Sequence, residues 1–312
     1  MSNLIFDIMR RFPFLMILFV MLAGCTGRGT DDEQRPVATV SIEPQRWLLA
    51  QIAGDRFEIR SLMDRNADPE NFDPTLSALR DVERGMVYFT LGNNAFEEST
   101  VGRLRDNGSK LRIVDTSEGI DFIRGTHSHA GKEGAESPDP HVWLSVENMR
   151  RMAVNMERAL AEIDSANAEY YGRRLDSLML SLDSLDRKLA DRMAPWRGKA
   201  FLVWHPALSY FARDYGLKQI ALGSEDKEAT PAHLAASISE ARDAGVRVLI
   251  MQPGDDPQRS MQMARGVSAD TASITTLDYD WHATMLGIAD AFTRSRNAQS
   301  GCGNDRREGS CQ

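Results

Sequence analysis

The stretch Leu175-Asp-Ser-Leu178-Met-Leu-Ser-Leu182-Asp-Ser-Leu185-Asp-Arg-Lys-Leu189-Ala-Asp-Arg-Met193-Ala-Pro195 decides the fold. Its apolar residues recur at steps of three and four, which lines one face of an α-helix. Pro195 cannot continue the hydrogen-bond ladder and ends it. Upstream, Met149, Met152, Met156, Leu160 and Ile163 keep the same spacing, with a break near Asp164-Ser165. A helix from Ser165 to Met193 would be about 43 Å long at about 1.5 Å per residue. Such a stripe serves either as a coiled-coil seam between two copies or as a spine inside one chain. The repeat is short and α/β patterns flank it on both sides, so a spine is expected.

On the N-terminal side, Val37–Ile42, Phe57–Met63, Met86–Gly92 and Arg112–Thr116 read as strands. Between the first two, Trp47, Leu48, Gln51 and Ile52 form a helical face that Gly54 stops. On the C-terminal side, Ala200–Trp204, Gln219–Leu222, Val246–Met251 and Ser273–Leu277 read as strands, with a helix over Pro231–Ala244. Strands alternating with helices predict parallel sheets covered by helices, once in each half. The expected fold class is α/β, with two (β/α) lobes on mostly parallel sheets joined by one long spine helix. The expected division is an N-terminal lobe over 37–164, a linking helix over 165–194 and a C-terminal lobe over 195–293. The tail 294–312 is polar and carries Gly301, Gly303 and Gly309, so it is expected to be disordered.

The 312 residues are 42% hydrophobic and 26% charged, which is a globular balance. A formal net charge of -8 gives no basic field to attract nucleic acid. Three cysteines, Cys25, Cys302 and Cys311, are too few for a disulfide scaffold or a cysteine-rich zinc module. Cys302 and Cys311 either pair in an oxidising compartment or remain two tail thiols. The one apolar run near membrane length is Phe12–Gly24, preceded by Arg10 and Arg11. It is short for a spanning helix and has the build of a signal peptide over 1–24. Leu22-Ala23-Gly24-Cys25 puts small residues before a cysteine, the pattern in which Cys25 is acylated. Residues 25–36 are polar and suit a flexible tether.

The six histidines, His127, His129, His141, His205, His233 and His282, all lie beyond residue 126. His141 stands in Asp139-Pro140-His141-Val142-Trp143-Leu144, where proline forces an extended entry and the apolar residues anchor the segment. His205 follows the apolar run Phe201-Leu-Val-Trp204, at a strand end, where α/β folds place ligand groups. Asp278 ends Ser273–Leu277 in the same manner, and Glu70 lies in the loop Asp68–Pro74 after the second strand. Each half therefore offers two N or O donors, a set suited to a divalent cation held in the cleft between the lobes. Asp280 competes with Asp278 for the carboxylate role. His127 and His129 sit with Glu133 and Glu136 in a polar, Gly-rich stretch, which either forms an accessory metal loop or is solvated surface. His233 and His282 are placed outside the site.

These residues resemble the metal-specific solute-binding lipoproteins of bacterial ABC transporters, the zinc- and manganese-uptake type. Asp139–Leu144 matches one signature intact, and His205-Pro-Ala-Leu-Ser-Tyr210-Phe211-Ala-Arg-Asp-Tyr215-Gly216-Leu217 resembles another. Asn66–Pro74 resembles a third, Gly-Ala-Ser-Pro-His-x-Tyr-Glu-Pro, with Glu70 where the family has His. Ile52–Asp55, Leu91–Asn93, Glu228–Pro231 and Leu277-Asp278 are further matches, so the likeness runs from about residue 37 to 293. The resemblance implies Glu70, His141, His205 and Asp278 as metal residues and delivery to an ABC permease in the inner membrane. It also implies a lipid-anchored protein of the cell envelope on the periplasmic or extracytoplasmic side, acting as a monomer.

Two carboxylates and two neutral imidazoles balance a dication, which lowers the cost of partial burial. Carboxylate oxygen moves the preference toward Mn2+ or Fe2+, whereas the Irving–Williams order favours Zn2+, and the sequence reading takes zinc. A metal-dependent hydrolase would need an open coordination position, and no His-Glu-x-x-His, Gly-x-Ser-x-Gly or P-loop occurs in the chain. The chain is thus read as a non-enzyme, with an adhesin-like lipoprotein of the same fold as the other alternative.

Overall fold

The computed structural model describes residues 35–65, 67, 72–92, 94–127, 137–223 and 230–304. The described residues from Pro36 onward pack as one compact unit. The first lobe is built on four strands, β1 (Val37–Val40), β2 (Glu58–Ser61), β3 (Val87–Thr90) and β4 (Arg112–Asp115). All pair in parallel, in the order β2-β1-β3-β4. Helices α1 (Glu43–Ala53), α2 (Leu76–Glu83) and α3 (Ala95–Asp106) make the crossovers. Parallel strands need such connections, and the fully buried β3, Val-Tyr-Phe-Thr, shows the covering of both faces.

The stretch Arg124–Pro138, expected as a loop, contains a short antiparallel pair, β5 (Arg124–His127) and β6 (Ser137–Pro138). Helix α4 (Val146–Ile163) follows, with the Ser145 hydroxyl accepting the Asn148 N–H at 3.2 Å as its N-cap.

The spine is α5 (Ala168–Met193), 26 residues long, or about 39 Å at about 1.5 Å per residue. Short 3-10 turns, Ser165–Asn167 and Ala194–Trp196, bracket it at the break and at the proline expected from the sequence. Leu178, Leu182, Leu185, Leu189 and Met193 are buried inside the chain rather than offered to a second copy. Their cluster is continuous. It takes in Val40, Leu48 and Ile52 from the first lobe and Phe201, Val203, Ile250 and Phe292 from the second. Arg174 on α5 donates to the carbonyls of Gln51, at 2.7 Å, and Ala50, at 3.3 Å, at the C-terminus of α1. Gly54 leaves that helix with φ +58°, and a Cβ there would stand 2.1 Å from the Tyr170 hydroxyl, so only glycine fits.

The second lobe repeats the plan with β7 (Ala200–Val203), α6 (Ser209–Tyr215), β8 (Lys218–Ala221), α7 (Pro231–Asp243), β9 (Val248–Met251), α8 (Pro257–Val267), β10 (Asp270–Ser273) and α9 (Trp281–Asn304). Its sheet is parallel, in the order β10-β9-β7-β8. The last strand differs from the sequence expectation of Ser273–Leu277. Among the described residues its only partner is β9, in register from Asp270 opposite Val248 to Ser273 opposite Met251. The partner then turns away, and the Ile274 N–H to the Met251 carbonyl at 2.9 Å is the last bond of the ladder. Ile274 and Leu277 are buried as loop residues, which explains their strand-like pattern. The tail also departs from expectation, because α9 continues through Asn304, past Arg294. Cys25 and Cys311 lie outside the described residues.

A buried carboxyl ties two strand ends of the first lobe together. Glu97, on α3, accepts the Leu91 N–H at 2.7 Å and the Gly92 N–H at 2.9 Å, both just past β3. The Ser41 hydroxyl, just past β1, donates to the same carboxyl and contacts the Tyr88 hydroxyl at 2.8 Å. Burial pushes the Glu97 carboxyl from 4.5 up to about 7, with the three donors opposing and the Asp115 charge adding to the rise. A folded-state value above the unfolded one means that the folded form binds more protons in between. The resulting stabilisation is present below about pH 4.5 and is lost as pH rises through about 7. Urea midpoints of the protein and of Glu97→Gln are therefore expected to converge or cross in the variant's favour as pH rises through this window. A pH-independent difference between them would contradict the assignment.

Candidate metal centre

His141 and His205 come from different lobes and meet. Their Nε2 atoms lie 3.1 Å apart, with ring centroids 5.0 Å apart and planes at 68°. His141 enters on the segment after β6, and His205 stands two residues beyond β7, at the carboxyl edge of its sheet. Two nitrogens bound to one zinc ion at about 2.0–2.1 Å in tetrahedral geometry stand about 3.3 Å apart. The pair is thus spaced for one ion.

His141 is buried, and its orientation is set from behind. Asp139 Oδ1 accepts the His141 main-chain N–H at 2.9 Å and contacts ring Nδ1 at 3.0 Å. An ionised carboxylate can only accept, so Nδ1 carries the proton and Nε2 presents its lone pair toward His205. A carboxylate behind an imidazole is the arrangement that fixes the tautomer of metal-binding histidines and raises their basicity.

The segment Asp139–Leu144 is stitched to the second lobe. The Tyr210 hydroxyl on α6 donates to the Asp139 carbonyl at 2.8 Å. Trp143 Nε1 donates to the Thr276 carbonyl at 3.0 Å, and Trp281 Nε1 to the Trp143 carbonyl at 2.7 Å. His205 is half-buried, and its carbonyl receives the Ala207 N–H at 2.8 Å and the Gln252 side-chain amide at 3.5 Å. Gln252 in turn accepts the Thr276 hydroxyl at 3.0 Å, joining the ends of β7, β9 and β10.

Among the described residues, no other sequence candidate joins the pair in a metal-sized group. Asp278 lies in the loop between β10 and α9, five residues past the strand, and its carboxylate stands 3.8 Å from Arg65 Nη1. Among the described residues, no group of three or more His, Cys, Asp and Glu is close enough to hold a metal ion. Glu70 and His129 lie outside the described residues, and His127 ends β5 with its side chain outside them. Asp280 accepts the Ala283 N–H at 3.0 Å and caps α9, which gives it a structural role. His233 is exposed on α7, and His282 is half-buried in the first turn of α9. Asp139 and Tyr210 lie within the signature stretches, yet the sequence alone gives neither a role. A carboxylate two residues before a rigid histidine was the available signal.

Two parallel α/β lobes on one spine helix, with paired imidazoles bridging them, define a metal-binding substrate-binding protein of an ABC transporter. The family described as ZnuA, zinc-uptake complex component A periplasmic, matches residues 38–291, and the chain belongs to it. It is 24% identical over 275 residues to the high-affinity zinc uptake system protein ZnuA of Bacillus subtilis, covering 83% of this chain and 86% of that one. It is 26% identical over 279 residues to the manganese ABC transporter substrate-binding lipoprotein PsaA of Streptococcus mitis, covering 84% and 87%. A crystal structure of ZnuA superposes with a TM-score of 0.77 at 26% identity, covering 84% of this chain and 99% of that one. Among the described residues, no helix is long and apolar enough to cross a membrane.

The Asp139 contact yields a spectroscopic expectation. Long-range proton–nitrogen correlation spectra of the metal-free protein at pH 7.5 should show His141 as the Nδ1–H tautomer. An Nε2–H tautomer would contradict the assigned orientation.

Proposed function

We propose that the protein captures a divalent transition metal outside the cytoplasm at Glu70, His141, His205 and Asp278 and hands it to an ABC permease. The observation that carries the reading is the pair of imidazole nitrogens 3.1 Å apart, contributed by two lobes. Glu70 and Asp278 complete a set of two nitrogens and two carboxylates, neutral overall with a dication. Zn2+ is the favoured ion because imidazole nitrogen and the Irving–Williams order outweigh the harder oxygen donors that favour Mn2+ or Fe2+. Four protein ligands leave no position for an activated water, so the protein is a carrier rather than an enzyme. Acylation of Cys25 would tether a monomer to the membrane through residues 25–36. His127 and His129 are proposed as a weaker accessory pair.

Replacing His141 or His205 by Ala is expected to lower zinc affinity at least about a hundredfold, more than the loss of an outer-shell partner costs. Glu70→Ala and Asp278→Ala should also weaken binding. Competition against a chelating fluorophore reads all four, and unchanged affinity in His141→Ala would end the assignment. Elemental analysis of protein purified without added metal, followed by zinc–manganese competition, decides the ion. An adhesin that does not transport would tolerate loss of the metal ligands in its adhesive activity.

A further inference from the structure

We propose that Arg65 is a built-in competitor for the metal, a cation that holds the Asp278 carboxylate until an ion displaces it. The inference rests on the reading of Asp278 as a ligand. Arg65 lies four residues past β2 in the first lobe, and Asp278 lies in the second, so their 3.8 Å contact spans the two lobes. In the sequence Arg65 precedes Glu70 by five residues, so the competing cation and a proposed ligand lie close along the chain.

The loop around Asp278 is anchored on its far side by other means. The Arg46 guanidinium, itself fixed by Glu43 at 2.6 and 2.9 Å, lies 4.2 Å from the Tyr279 ring centroid. Trp47 packs on Trp281 with centroids 5.3 Å apart, and Asp280 caps α9. These contacts hold residues 279–281 against the first lobe without using the Asp278 side chain. That side chain accepts only its own loop's Asp280 N–H, at 3.2 Å, besides facing Arg65 among the described residues. It is 37% exposed, and Arg65 is 61% exposed. The carboxylate is therefore lightly held and takes no part in the contacts that anchor its loop.

The electrostatics favour a modest, tunable competitor. Guanidinium and metal both seek the same carboxylate, and the dication carries the larger charge at shorter range. An exposed ion pair is weak, so it lowers metal affinity only slightly while giving Asp278 a partner at the moment of release. Removing the guanidinium charge should leave Asp278 available to the ion and slow its departure.

The test compares the protein with Arg65→Gln, Arg65→Lys and Asp278→Asn, using zinc alone as the probe. Affinity comes from chelator competition and release from stopped flow. Arg65→Gln is expected to bind zinc about two- to fivefold more tightly and to release it correspondingly more slowly. Arg65→Lys, which keeps the charge, should stay near the parent value, and raising the salt should shrink the difference between parent and Arg65→Gln. If Arg65→Gln binds with parent or weaker affinity while Asp278→Asn loses affinity, the competitor role is overturned and the ligand set stands. If Asp278→Asn also leaves affinity unchanged, the ligand reading itself fails and the competitor role fails with it.

Discussion

Two imidazole nitrogens held 3.1 Å apart from opposite lobes set a close constraint on the molecule. A shift of one lobe against the other by an ångström would destroy the spacing, so the lobes must be fixed on that scale. The fixing element is the leucine face of α5. It fills a core shared by both sheets. Close-packed interiors deform little, so this shared core transmits position from one sheet edge to the other. The stitches from Tyr210, Trp143 and Trp281 then set the local registration at the site. The spine therefore acts on the metal centre from a distance, through packing rather than through any ligand it carries.

Placing a carboxylate behind His141 has an energetic cost that the surroundings offset. Asp139 is fully buried, and an isolated charge there would be expensive. Its Oδ1 is satisfied by the His141 backbone and ring, so one residue supplies two donors to the charge. The same hydrogen bonds freeze the ring, leaving one nitrogen aimed at its counterpart. Rigidity at His141 thus follows from the need to solvate Asp139 inside the protein.

Much of the architecture was legible because it rests on periodicity. The leucine stripe, the break near Asp164, the stop at Pro195 and seven of the eight principal strands follow from apolar spacing and breakers. The eighth was misplaced because Ile274 and Leu277 look like strand residues, yet burial in a loop produces the same pattern. Pairing with β9, a tertiary fact, decides where β10 stops. The antiparallel pair β5 and β6 was missed because Arg-Gly-Thr-His and Ser-Pro carry no alternating apolar signal. At the site, His141 and His205 were recoverable from their strand-end contexts. The role of Asp139 and the pairing of Arg65 with Asp278 were not, because both depend on which groups the fold brings alongside them.

The position of Asp278 follows from the early end of β10. A carboxylate at the last residue of a paired strand would be held by the ladder and would have one orientation. Five residues past the strand, it sits in a loop whose anchors lie at Tyr279, Asp280 and Trp281. In the proposed ligand set, a His141 held by buried contacts would be joined to a partly exposed carboxylate. A carrier needs both properties. Fixed nitrogens would define where an ion sits, and in the proposed competitor role a carboxylate paired with Arg65 would give that ion a path out.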